Sequence, residues 1–217
     1  MDYLIYYLPF YINALELIAI IIGFVHYHKY KHTLLKYFLW FLCYGFLSEM
    51  LGFLVSYFFK QNNVIIFNIY TLVQYEFFLW LFYKHFKTVQ YKILTKSIGL
   101  FTGFSFIINS IFFQDIFTTF QSYSLLLGGF FLIITIILFF TELLNSDVIL
   151  MVKNLLIFWV AVGILLFQLG LIPVFIATKY INYSNGNTYG YILLILNFIT
   201  SLCYSLGFIW TKKNLNY

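Results

Sequence analysis

Continuous apolar runs, broken by short polar stretches, make up most of this chain. Seven runs approach or exceed the roughly 20 apolar residues a membrane-crossing helix needs. They cover about 4–25, 35–59, 64–83, 96–113, 119–141, 154–177 and 189–211. Backbone groups in hydrocarbon must satisfy their own hydrogen bonds, which a helix does. The runs are continuously apolar rather than alternating, and longer than barrel strands, so a β-barrel is excluded. The pattern predicts an all-α protein, a bundle of seven transmembrane helices forming a single domain over residues 1–217.

Composition removes the soluble alternative. The chain is 63% hydrophobic and 9% charged, with a mean hydropathy of +0.93. Soluble domains carry about 25% charged residues. The net charge of +5 does not point to nucleic acid, because all 12 basic residues are Lys and such surfaces favour Arg for bidentate contacts. The lysines mark topology instead. Lys29, Lys31, Lys36, Lys84, Lys87, Lys92, Lys96, Lys153, Lys212 and Lys213 fall on one side of the expected spans, Lys60 and Lys179 on the other. By the positive-inside rule the N-terminus is outside and the C-terminus cytoplasmic. The location expected is the cell membrane, with the lipid bilayer as first partner. Tyr3, Tyr6, Tyr7, Tyr27, Tyr30, Tyr180, Tyr183 and Tyr217 sit at run edges and suit the interfacial aromatic belt.

Smaller signals fit the same picture. The opening MDYLIYYLPF lacks a basic leader and a small-residue cleavage site, so it reads as a retained first helix rather than a secretory signal. Cys43 and Cys203 lie inside apolar runs and read as core residues rather than a disulfide pair. Asn185-Gly186 is a turn signal, and Asn182-Tyr183-Ser184 matches a glycosylation sequon.

Three charges lie deep inside runs: Glu16, Glu49 and Glu76. Counted from the outer ends at 1.5 Å per residue, they fall within a few ångströms of one depth. An ionised carboxylate at mid-membrane costs at least about 2.5–3.5 kcal/mol, which favours a proton, cation or amine bound among them over interhelical glue. Each run also carries a small or polar stripe. Asn13 accompanies Glu16; Gly45, Gly52 and Ser56 accompany Glu49; Asn68 and Tyr75 accompany Glu76. Thr102, Ser105 and Asn109 mark the fourth run, and Gln121, Ser124, Gly128 and Thr135 the fifth. Gly163, Gln168 and Gly170 mark the sixth, and Asn197, Thr200, Ser201, Tyr204 and Ser205 the seventh. The candidate ligand or ion site is therefore Glu16, Glu49, Glu76, Asn13, Asn68, Gln168, Asn197 and Tyr204.

Asn68-x2-Thr71-x3-Tyr75 recurs as Asn197-x2-Thr200-x3-Tyr204, and the Gly45/Gly52 spacing recurs as Gly163/Gly170. These matches point to a parallel 3+1+3 repeat joined by the fourth helix. The layout resembles that of sugar-transporting and nicotinamide-riboside-transporting families, without the Pro-Gln pair of the related loop-motif families. Repeats of this kind place a site at the repeat interface in transporters.

Enzyme chemistry finds no parts. His26, His28, His32 and His85 lie in or beside the lysine-rich connections, and no Cys or nearby carboxylate completes a zinc set. Neither a metal nor a cofactor is expected. No Lys lies inside the seventh run for a retinal Schiff base. The expectation is a small secondary transporter or permease for a proton, cation or amine solute, with Pro173 kinking the sixth helix near its outer end. The alternative is a seven-helix sensor, or a subunit of a membrane signalling complex, acting through a partner protein.

Overall fold

The computed structural model describes residues 7–180 and 186–212, with only the backbone described for 178–180 and 186–188. Residues 4–6 of the first expected span, the Asn182-Tyr183-Ser184 sequon, Asn185, Tyr3, Tyr6, Lys213 and Tyr217 lie outside the described residues. Seven long α-helices are present among the described residues: α1 (Leu8–Val25), α2 (Lys36–Phe58), α3 (Val64–His85), α4 (Val89–Phe112), α5 (Ser122–Leu144), α6 (Leu156–Tyr180) and α7 (Gly186–Trp210). Short 3-10 segments cover Tyr27–Lys29 and Asp147–Asn154. All seven long helices are long and apolar enough to cross a membrane, as the pattern predicts for a multi-pass membrane protein. Among the described residues there is no strand.

Helix ends move where polar groups find partners. The fourth helix starts at Val89 rather than near 96, because Lys96 is exposed and a lysine stem lets a helix run on while its ammonium reaches water. The fifth runs from Ser122 to Leu144 rather than 119–141, because the residues before it are tied into a polar connection. Two residues beyond α2, Lys60 is left-handed (φ 48°), and the Gln61 N–H reaches back to the Val55 carbonyl. α6 continues through Pro173 to Tyr180.

Contacts gather the chain into two compact units, one of Met1–Phe46 with Leu150–Tyr217 and the other of Leu47–Ile149. In the first, α1 and α6 both pack on α7. Small residues let the helices approach. A Cβ added at Gly163 would lie 2.9 Å from Tyr204 Cε1, and one at Gly207 would lie 2.8 Å from Trp159 Cβ. The Ser201 hydroxyl donates to the Leu15 carbonyl at 2.6 Å, joining α7 to α1. At one end of this unit Lys29 Nζ donates to the Ile209 carbonyl at 2.6 Å, near the C-terminus of α7, where a cation is favoured. Beside it Tyr30 stacks on Phe208 and donates to the Gly23 carbonyl at 2.6 Å. Burial pushes the Tyr30 phenol well above the usual tyrosine range, so it stays a neutral donor.

In the second unit α3, α4 and α5 pack pairwise. Tyr75 of α3 lies over Gly128 of α5, where a Cβ would fall 2.5 Å from its ring, and its hydroxyl donates to the Leu125 carbonyl at 3.0 Å. The Glu142 carboxylate of α5 accepts from the Lys87 and Thr88 backbone N–H groups at 2.7 and 3.0 Å. It thereby ties the chain entering α4 to α5, although Thr88's own side chain makes no capping bond.

Candidate functional site

The second unit holds a cavity of about 530 Å³ between α3 and α4. Its polar centre is Glu76. The Thr102 hydroxyl of α4 donates to Glu76 Oε1 at 2.9 Å. A Cβ at Gly99 would lie 3.3 Å from Glu76 Oε2, and one at Gly103 would lie 3.4 Å from Glu76 Oε1. The carboxylate therefore rests against the glycine face of a Gly-x-x-x-Gly run, GLFTG, where larger side chains would crowd it. Such runs normally admit a neighbouring helix; here the space admits a charged side chain from α3.

The cavity has a chemical gradient along α4. One turn before Gly99, Thr95 and Lys96 line it, with Tyr83 of α3 nearby. Thr95 is 1% exposed, and its hydroxyl oxygen is buried with no hydrogen-bond partner. Beyond Gly103, Phe104 and Ile107 line the other end, with exposures of 62% and 54%. The groove is thus hydroxyl- and ammonium-bearing at one end, acidic in the middle and apolar at the other.

Asn68 lies two turns away on α3, at the opposite end from Lys84 and Tyr83. Its amide nitrogen donates to the Ile116 and Thr119 carbonyls at 2.8 and 3.0 Å, and its oxygen accepts from the Gln121 N–H at 2.9 Å. Both ends of this amide serve the connection between α4 and α5. Asn109 continues the knot, donating to Gln114 Oε1 at 3.1 Å and to Gln121 Oε1. Gln114 Nε2 donates to the Ser122 hydroxyl at 2.8 Å. Only the ends of the polar stripes expected of the fourth and fifth helices meet here, where Asn109 donates to Gln121 and Ser124 in a buried cluster of neutral groups, while Ser105 and Thr135 each bond to their own helix. Glu49 of α2 is half-buried, with Gly52 buried and Ser56 exposed on the same stripe.

The remaining candidate residues belong to the first unit. Asn13 and Asn197 each donate to their own helix, to the Pro9 and Leu193 carbonyls, both at 2.9 Å. Gln168 is buried. Tyr204 is buried against Gly163, edge-on to Phe38 at 4.9 Å, and lies within electrostatic reach of Glu16. Cys43 and Cys203 are free thiols. Among the described residues no group of three or more His, Cys, Asp or Glu is arranged to hold a metal ion.

Sequence reasoning finds Glu76 and Thr102 but passes over Gly99, Gly103 and Thr95, and reads Lys96 as a topology signal alone. The small-x-x-x-small spelling of GLFTG, one helix along from a buried carboxylate, is the signal that marks the groove. No protein-family model matches the chain, and comparison with curated proteins and with solved structures gives no match.

Proposed function

We propose that this protein is a small secondary transporter of the cell membrane, in which Glu76 binds a proton, a cation or the ammonium group of a solute. The observation that carries the reading is the Glu76 carboxylate, held by Thr102 against two glycines in a 530 Å³ cavity. A carboxylate placed in an apolar helix is costly, and a cavity beside it leaves room for the cation that offsets the cost. Glu16 and Glu49 are further candidate proton- or cation-binding carboxylates. The orientation proposed has the N-terminus outside and the C-terminus cytoplasmic. Lys29 and Lys212 support it, since they sit at one end of their unit, bonded to the Ile209 and Asn154 carbonyls. The parallel 3+1+3 repeat is proposed on the shared Asn-x2-Thr-x3-Tyr spacing of α3 and α7.

The test is uptake into proteoliposomes with an imposed pH gradient. Glu76→Gln keeps an acceptor for Thr102 and removes the charge, so the variant should stay folded and lose pH-driven flux at least tenfold. Unchanged flux in Glu76→Gln, Glu16→Gln and Glu49→Gln alike would sink the transporter reading. A stoichiometric co-purifying protein with no flux would favour the signalling-subunit alternative.

A further inference from the structure

The groove at Glu76 is not symmetric along its length, and its order of chemistry specifies a ligand. From Thr95 to Ile107 it follows α4 for about 18 Å at 1.5 Å per residue. Thr95 and Lys96 stand at the start, the Glu76 carboxylate lies level with Gly99 and Gly103, and Phe104 and Ile107 follow. Helical side chains lean toward the N-terminus, so the Lys96 ammonium is carried away from Glu76 rather than onto it. The apolar end is made of residues well exposed on the helix surface: Phe104 is 62% and Ile107 is 54% exposed. In a membrane-spanning helix that surface meets acyl chains, so a molecule can enter sideways with its chain already in hydrocarbon.

We infer that the groove takes a single-chain amphiphile whose ammonium group sits next to the chain and whose anionic group lies beyond it. This rests on the reading of Glu76 as a cation-binding residue and narrows the ligand class. The chain lies along Phe104 and Ile107, the ammonium meets Glu76, and the anion meets Lys96. The Thr95 hydroxyl, buried without a partner, donates to that anion. A long-chain 2-amino phosphate or an alkyl betaine has this order. A phosphocholine or phosphoethanolamine lipid has the reverse one, chain then phosphate then ammonium, and would set its phosphate against Glu76 and its ammonium against Lys96. Charge complementarity therefore selects on the order of charges, not on net charge, since both classes are zwitterionic.

The probes are tetradecyl sulfobetaine (chain, ammonium, sulfonate) and tetradecylphosphocholine (chain, phosphate, ammonium), titrated into the full chain in a maltoside micelle. Thermal shift and tryptophan fluorescence are followed together, since Trp80 lines the groove. The sulfobetaine should bind at least tenfold more tightly than the phosphocholine. Glu76→Gln and Lys96→Gln should each bring the ratio to within twofold, Thr95→Val should reduce it about threefold, and Gly103→Leu should abolish saturable binding of both. Equal affinities in the wild type, the reverse preference, or a preference that survives Glu76→Gln would overturn the inference. Loss of pH-driven flux in Glu76→Gln without any preference between the probes would leave the transporter reading standing and remove this one. A clear preference with flux unchanged in Glu76→Gln, Glu16→Gln and Glu49→Gln alike would do the opposite.

Discussion

Helices α3 and α7 carry the same spacing of Asn, Thr and Tyr, at 68, 71 and 75 and at 197, 200 and 204, and each is packed within its own unit. Two of the three positions behave alike. Thr71 and Thr200 donate to the carbonyl four residues back, Phe67 and Leu196, both at 2.8 Å. Tyr75 and Tyr204 lie flat enough on Gly128 and Gly163 that an added Cβ would fall 2.5 and 2.9 Å from their rings. The asparagines part company. Asn68 ties down a connection nearly fifty residues away, whereas Asn197 folds back on its own helix. A shared motif here specifies shared packing, because a ring over a glycine depends only on two helix faces. It does not specify a shared polar role, because that depends on what loop lies within reach. α3 also carries Glu76 one residue after the tyrosine, where α7 has Ser205, and it faces the GLFTG run of α4, so the carboxylate becomes the centre of a groove.

The sharpest way to break this contrast is at the asparagines. Asn68→Leu strands the Ile116 and Thr119 carbonyls and the Gln121 N–H, whose bonds to Asn68 are part-buried, part-buried and buried in turn. Stranding such groups costs about 1–3 kcal/mol apiece and less than additively, so a loss of about 3 kcal/mol in unfolding free energy is expected. Asn197→Leu releases only a helical carbonyl that keeps its backbone partner, and should change stability by less than about 0.5 kcal/mol. Reversible unfolding in mixed dodecyl sulfate micelles measures both. Equal losses would mean that Asn197 has a partner role like that of Asn68.

A smaller effect is expected at the glycines. Gly128→Ala pushes a methyl into a ring whose hydroxyl is fixed on the Leu125 carbonyl, so the ring has little freedom to yield. Overpacking costs about 1–3 kcal/mol, and alanine returns about 1 kcal/mol in helix propensity. With the ring unable to yield, the upper part of the overpacking range applies, and a net loss of about 1–2 kcal/mol follows for Gly128→Ala. Gly163→Ala, with its contact 0.4 Å looser by the difference of 2.9 and 2.5 Å, should lose about 1 kcal/mol less. Thermal denaturation of the two variants side by side tests the order.

Seven helices and their lengths were legible because hydrocarbon demands a long apolar run wherever a helix crosses it, and each run stands alone in the sequence. The helix ends were less so. Lys92 and Lys96 look like the end of a membrane run, yet the backbone stays helical to Val89, since a lysine stem is as apolar as its neighbours. Glu142 lies past the apolar core of the fifth run, and its work on the Lys87 and Thr88 amides belongs to another helix. The site divides in the same way. Glu76 announces itself by charge in an apolar run. Gly99, Gly103 and Thr95 become informative only when the register of α4 against α3 sets them beside it, and register is a property of two helices together. Asn68 was visible as a polar residue in the right place, but the connection it holds returns to it only through tertiary structure.

The smallest of these effects sharpens the comparison most, because it separates the ring from its hydroxyl. Tyr75→Phe keeps the ring over Gly128 and removes one buried hydrogen bond to Leu125, a loss of about 1 kcal/mol. If the anchored hydroxyl is what prevents the ring from yielding, the same change should soften the clash in Gly128→Ala. The double variant should then lose less than the sum of the two single losses, by about 0.5–1 kcal/mol, within the range found for residues in direct contact. Strict additivity would show that the ring on α3 is held by its packing alone and that its bond to Leu125 adds nothing to its rigidity over Gly128.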